Sequence, residues 1–205
     1  MRTIAFLLTA MMAAASPAGA EQDPKAIILG IKVTAGGRYD DVRMCVASPA
    51  GAKGGPALDV SFFMEFGIKQ DVSVQVNVPV MRPVLFAAAF RMLQFEPEVT
   101  LAFRQDTGSK VDVIVGPVLG LTFHYGPDYR SERSGPGRGP SFFAMGPRIG
   151  GYIGLDFERP DEMFNFRLGL TPFASPLFSA GGGEDHRGVV LGGMLDGQFR
   201  FATGK

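Results

Sequence analysis

Residues Val72 to Val80 read VSVQVNVPV, with a valine at every second position and Ser73, Gln75, Asn77 and Pro79 between them. Successive side chains of a β-strand point to opposite faces, so this stretch is a ribbon with one apolar face and one polar face. The same two-faced pattern recurs along most of the chain, and eight segments show it, each bounded by turn-forming residues.

The first segment runs from Ile27 to Ala35, with Ile27, Leu29, Ile31 and Val33 against Ile28, Gly30, Lys32 and Thr34. The second, Leu58 to Ile68, sets Leu58, Val60, Phe62, Met64, Phe66 and Ile68 against Asp59, Ser61, Phe63, Glu65 and Gly67. The valine ribbon is third. In the fourth, Phe95, Pro97, Val99, Leu101 and Phe103 oppose Glu96, Glu98, Thr100, Ala102 and Arg104. The fifth, Val111 to Tyr125, has Val113, Val115, Leu119, Leu121 and Phe123 on one side and Asp112, Ile114, Gly116, Val118, Gly120, Thr122 and His124 on the other. The sixth turns Phe143, Met145, Ile149, Ile153, Leu155 and Phe157 away from Arg148, Tyr152 and Asp156. The seventh turns Phe164, Phe166, Leu168 and Leu170 away from Asn165, Arg167, Gly169 and Thr171. In the eighth, Val189, Leu191, Leu195, Phe199 and Phe201 oppose Val190, Met194, Asp196, Gln198 and Arg200. Most match the roughly 9 to 11 residues that a tilted strand needs to cross a bilayer.

The links alternate as well. Lys69 to Asp71, Gln105 to Lys110 and Glu158 to Glu162 are short, whereas the links around residues 36–57, 81–94, 126–142 and 172–188 are several times longer. Short turns at one end and long loops at the other characterise a barrel inserted in an outer membrane, with both chain termini on the periplasmic side.

The N-terminus agrees with export. Residues 1–20 carry a positive Arg2, an apolar core from Ile4 to Ala15 and the small-residue pattern Ala18-Gly19-Ala20 ahead of Glu21, which is the layout of a cleaved signal peptide. The apolar core is too short for the roughly 20 residues of a membrane-spanning helix. Residues 21–205 then form one barrel domain. The composition is 46% hydrophobic and only 20% charged, greasy for an exported chain with no long apolar run, and a membrane barrel spreads such residues in alternation. The 20 basic residues, less Arg2, nearly balance 20 acidic ones, so no basic field recommends nucleic acid as a partner. Cys45 is the only cysteine, which excludes an intramolecular disulfide; an unpaired loop residue is the simplest reading, ahead of a reactive thiol or an intermolecular bridge.

Alternation alone does not tell a membrane barrel from a soluble one that turns its apolar side inward around a ligand. The second face decides the direction: it is mostly Gly, Ser, Thr and Ala with scattered charges, poor in the lysine and glutamate of a wetted surface. The apolar face is therefore assigned to lipid and the polar face to the lumen. A buried charge needs an opposite charge. Lys32, Glu65, Glu98, Arg104, Asp112, Arg148, Arg167, Asp196 and Arg200 are accordingly expected to form an internal salt-bridge network, with Asp59, Glu96 and Asp156 on the same face. An interior of eight strands is just wide enough to be filled by side chains, which favours a plug over an ion path. Phenylalanines near the strand ends give a partial interfacial girdle, although the chain has no Trp and four Tyr. Pro117 and Pro147 lie inside strands and are expected to cause bulges or local breaks.

From residue 27 to 201 the chain resembles in architecture the small eight-stranded outer-membrane barrels, the group that includes the OmpA transmembrane domain, OmpX and OmpW. Leu195, Phe199 and Phe201 suit the aromatic-ended last strand of that group, with Ala202 to Lys205 following. The resemblance implies an all-β, eight-stranded antiparallel up-and-down transmembrane barrel. It also implies outer-membrane lipid and the barrel assembly machinery as partners, and a monomer.

Sites of chemistry are sparse. His124 and His186 are the only histidines, and Ser141 or Ser179 are conceivable partners for one of them in a lipid-modifying enzyme, though a hydrogen-bonded histidine at a strand end is the simpler reading. Arg130, Arg133 and Arg138 in a Gly- and Pro-rich loop offer a dock for an anion or a lipopolysaccharide phosphate. Glu184 and Asp185 lack the spacing of an EF-hand. Val84 to Leu93, VLFAAAFRML, favours a short helix packed over the barrel mouth or dipping into the membrane interface. No catalytic residue, cofactor or metal is assigned. A structural or surface-interaction role comes first, with a narrow pore within that reading, a lipid A or phospholipid modifying enzyme second, and an exported soluble barrel with an apolar ligand third. N-terminal sequencing of the exported protein is expected to start at Glu21; a chain still starting at Met1 would overturn the cleaved signal.

Overall fold

The computed structural model describes residues 27–40, 53–88, 93–127, 141–157, 164–181 and 187–203. The proposed signal peptide, Cys45, the arginine loop, His186 and the Glu184-Asp185 pair lie outside them. The strands are β1 (Ile27–Asp40), β2 (Gly54–Lys69), β3 (Val72–Pro79), β4 (Leu93–Phe95), β5 (Glu98–Gln105), β6 (Asp112–Pro127), β7 (Ser141–Phe157), β8 (Phe164–Gly181) and β9 (Gly188–Thr203), with one helix, α1 (Met81–Ala88), after β3. All pairings are antiparallel, and β4 and β5 both pair with β6, so together they make one stave. The β1–β9 and β6–β7 pairings complete a closed barrel of eight staves. Ile27 lies opposite both Phe66 and Thr203, which puts the start of β1 and the end of β9 beside the tight Gln70-Asp71 turn.

The barrel is polar inside and apolar outside. Ser73, Gln75 and Asn77 of the opening ribbon are buried, whereas Val76 and Val78 are exposed. Around the wall Ile31, Phe62, Leu119, Ile153, Leu170 and Leu195 all point outward, with Phe62 57% and Leu195 64% exposed. Arg167, Glu65 and Gln198 are each 1% exposed inside. An apolar exterior of this extent has no place in water, because monomeric soluble proteins rarely show contiguous apolar patches beyond a few hundred Å².

Two of the expected long links are shorter. β1 continues through Gly36 and Gly37 to Asp40, and β2 starts at Gly54, because Gly36 and Gly37 pair with Ala57 and Pro56 on one side and with Met194 and Gly193 on the other. β8 runs on to Gly181 through Pro172 and Pro176, both turned outward. The link from β8 to β9 is thus residues 182–187, no longer than 106–111 between β5 and β6, and the long-loop end keeps three extended links. At that end the inward face becomes apolar: Ala57, Phe142, Ala144, Phe173, Leu177, Val190 and Met194 form a buried cluster.

Pro117 and Pro147 produce local breaks without bulges. The β6–β7 ladder passes both in constant register, Pro117 opposite Gly151 and Pro147 opposite Leu121. On their other sides the pairing resumes in the same register, from Thr100–Val118 to Phe103–Val115 and from Met145–Phe178 to Ile149–Ala174. A residue's N–H serves one neighbouring strand only, so a proline interrupts one ladder and spares the other. The neighbouring glycines keep the strands close there, since a Cβ on Gly116 would strike the Leu101 carbonyl and one on Gly146 the Pro176 carbonyl. Register shifts occur instead at Gly67/Lys69 and Phe143/Ala144. In the β5–β6 turn, Gly108 at φ 68° supplies the left-handed residue, and its N–H donates to Asp106 Oδ1 at 2.7 Å.

Substitution Leu119→Arg, at mid-strand on the outer face, is expected to destabilise the barrel by about 2–4 kcal/mol in lipid vesicles, and Ile27→Arg at a strand end by about 0–1 kcal/mol. Urea titration in vesicles measures both, and equal costs at the two depths would contradict a lipid-facing exterior.

Candidate functional site

The inward charges gather in two layers. The first lies toward the tight-turn end. Strand parity turns Glu65, Arg104, Asp112, Asp156, Arg167 and Arg200 from six different strands into the lumen. Arg167 Nη2 and Arg200 Nη1 each lie 2.7 Å from Asp156 Oδ2, and Arg104 Nη2 lies 3.2 Å from the same oxygen. Arg167 and Arg200 also reach Glu65, at 3.3 and 3.2 Å, and Ser73 Oγ donates to Glu65 at 2.8 Å. Asp112 and Asp156 face each other across the β6–β7 ladder, a like-charge pair that would repel. Arg104, between them at 3.5 and 3.2 Å, removes that conflict.

Amides connect this layer to the next. Gln75 Nε2 donates to Asn77 Oδ1 and Gln198 Oε1, and Gln198 Nε2 donates to Tyr152 Oη and, at 2.8 Å, to Asp196 Oδ1. The second layer centres on Glu96, which takes Arg38 at 2.9 Å, Arg82 at 3.1 Å and Arg148 at 3.2 Å. Glu98 pairs with Lys32 at 2.7 Å and Arg148 at 3.2 Å, and Arg82 also reaches Asp59 at 3.3 Å. The Arg148 guanidinium carbon sits 3.4 Å from the Phe173 ring centroid, joining the charged layer to the apolar cluster above it. Beside this layer, a cavity of about 30 Å³ is lined by Lys32, Asn77, Arg82, Glu96, Thr171 and Met194 among others. That volume suits a water molecule rather than a solute.

Of the nine residues expected to form a network, Lys32, Glu98 and Arg148 belong to the second layer, and Glu65, Arg104, Asp112, Arg167 and Arg200 to the first. Asp196 lies between the layers and accepts from Gln198. Asp59, Glu96 and Asp156, which share that face, take ion-pair positions in the two layers. Arg38, Asp40, Arg82 and Gln94, whose Nε2 donates to Asp40 Oδ2 at 3.3 Å, were not anticipated. Arg38 and Asp40 continue the parity of Lys32 and Thr34, a signal masked by the two glycines. Arg82 is the one charge in the helical stretch MRPVLFAA, which could have drawn attention. His124 is fully buried, with Nε2 3.3 Å from Arg38 and Nδ1 3.7 Å from Asp40. Across the β6–β7 ladder it faces Ala144, whereas Ser141 pairs with Pro127 and is exposed. Among the described residues the two charged layers are held together by ion pairs, with amide bridges between them.

No family model and no curated protein matches the chain. Solved structures do. The crystal structure of Neisserial surface protein A (NspA) is similar at 12% identity over 85% of this chain and 96% of that one, with a TM-score of 0.47. The outer membrane protein OprG from Pseudomonas aeruginosa is similar at 11% identity over 88% and 98%, with a TM-score of 0.49. The outer membrane protein AlkL, solved in lipid bilayers, is similar at 12% identity over 93% and 95%, with a TM-score of 0.51. The chain therefore shares with AlkL the fold of a closed, eight-stranded antiparallel β-barrel.

Arg167→Met is expected to cost about 3 kcal/mol, the low end for breaking a buried ion pair, because Arg200 still serves Glu65 and Asp156. Denaturant unfolding in micelles reads this value, and a loss under about 1 kcal/mol would show that the layer does not hold the barrel together.

Proposed function

We propose that this protein is a monomeric outer-membrane barrel that serves as a scaffold for its surface-facing links, with a lumen sealed to solutes. One observation carries the reading: two layers of paired charges, capped at the long-loop end by an apolar cluster, lie across the interior. The apolar exterior and the likeness to the outer-membrane protein AlkL support the membrane location. A conducting path needs continuous room for a hydrated ion, and the side chains that would line it here bind one another. The partners proposed with this reading are lipid around the wall and the assembly machinery during insertion.

In planar bilayers the refolded protein is expected to show no channel steps, and regular steps would replace the scaffold reading with the narrow pore. Envelope fractionation is expected to place a heat-modifiable band in the outer membrane. Recovery from the soluble periplasm would overturn the location.

A further inference from the structure

Strands β3 and β8 stand on opposite sides of the lumen, with three staves between them whichever way the wall is followed. Toward the tight-turn end two long side chains span the distance, Arg167 Nη1 of β8 lying 3.5 Å from Gln75 Oε1 of β3. Asn77 and Thr171 lie on the same two strands nearer the long-loop end, and their side chains are shorter. Among the described residues neither Asn77 Nδ2 nor Thr171 Oγ1 has a hydrogen-bond partner, although the two residues are only 1% and 2% exposed. Asn77 Oδ1 accepts from Gln75 Nε2 at 2.9 Å, so the amide nitrogen is the end left over.

Both residues line the cavity of about 30 Å³ beside the second charged layer. A buried polar group left without a partner costs more than a typical hydrogen bond returns, so nearly all such groups are satisfied by protein or by ordered water. At roughly 10–15 Å³ for each molecule, the cavity has room for about two waters. The charges around it argue against an ion. Lys32, Arg82 and Arg148 face Asp59, Glu96 and Glu98, three against three, and each already has an opposite charge within 3.3 Å. An added ion would be one charge too many, whereas a small neutral molecule that both donates and accepts leaves the balance intact.

We infer that this cavity is a binding site for about two ordered waters, which join Asn77 on β3 to Thr171 on β8 across the lumen. The Asn77 amide donates to the first water, and the chain ends on the Thr171 hydroxyl, which can accept or donate. The waters do for these short side chains what the Arg167 guanidinium does for Gln75. The site goes beyond the sealed-lumen reading, because the hydrogen bonds that fill it are the same whether or not the barrel conducts.

The test uses crystals of the folded protein, native and soaked in sodium bromide. A density peak is expected about 2.7–3.2 Å from Asn77 Nδ2, leading to Thr171 Oγ1 directly or through a second peak, with no anomalous signal from bromide. A bromide signal at this place makes the ligand an anion and overturns the inference, as does density that fails to reach both atoms. In solution, a double-mutant cycle of Thr171→Val and Asn77→Leu is read by urea unfolding in lipid vesicles. Either substitution breaks the bridge, so the fold-change in the unfolding equilibrium constant of the double variant is expected to fall short of the product of the single changes by at least about twofold. Single changes that simply multiply overturn the bridge. Should Asn77→Leu not fold, Asn77→Ala takes its place in the same cycle.

Discussion

A charge withdrawn from water persists only against an opposite charge at close range, and the interior of this barrel is organised by that constraint. Asp156 shows it most clearly. It is fully buried, it stands opposite another aspartate across the ladder, and it is held by three arginines from β5, β8 and β9. Those strands are separated in sequence but must be neighbours or facing walls for the charges to meet. Barrel closure and charge pairing therefore support each other: a slip of one residue in any of these strands would turn its charge to lipid and leave its partners unmatched.

The two layers differ in what they hold. The first ties strands to strands near the tight turns. The second ties strands to an element that is not a strand, because Glu96 and Asp59 bind Arg82 of α1 as well as neutralising charges of the wall. The outer part of the stave between β2 and β4 thus depends on side-chain electrostatics where the remainder depends on backbone hydrogen bonds. Above it the inward face becomes apolar around Phe173 and Leu177, so the lumen passes from ion pairs to hydrocarbon packing over a short distance.

Much of this was legible in the alternation. Val76 outside and Gln75 inside, Ile153 outside and Tyr152 inside, follow from parity alone once the polar side is assigned to the lumen. What stayed hidden lay where parity is carried by residues without distinctive side chains. Gly36 and Gly37 concealed Arg38 and Asp40, and Pro172 and Pro176 concealed the outer part of β8 with Phe173 and Leu177. The helix was anticipated in kind, either over the mouth or dipping into the membrane interface; it starts at Met81 rather than Val84 and packs beside β2 and β4 with Val84 exposed.

The amino-acid sequence by itself determined the strand period, the face that each residue of a strand takes, and the near balance of charge on the inner face. Each is a local property of the backbone or a count. Tertiary structure alone decided which charges meet, how far the strands extend past glycine and proline, and that a helix replaces the end of β3. Pairing partners are set by neighbours distant in the chain, and a strand lasts as long as its neighbours supply hydrogen bonds, whatever its own side chains suggest.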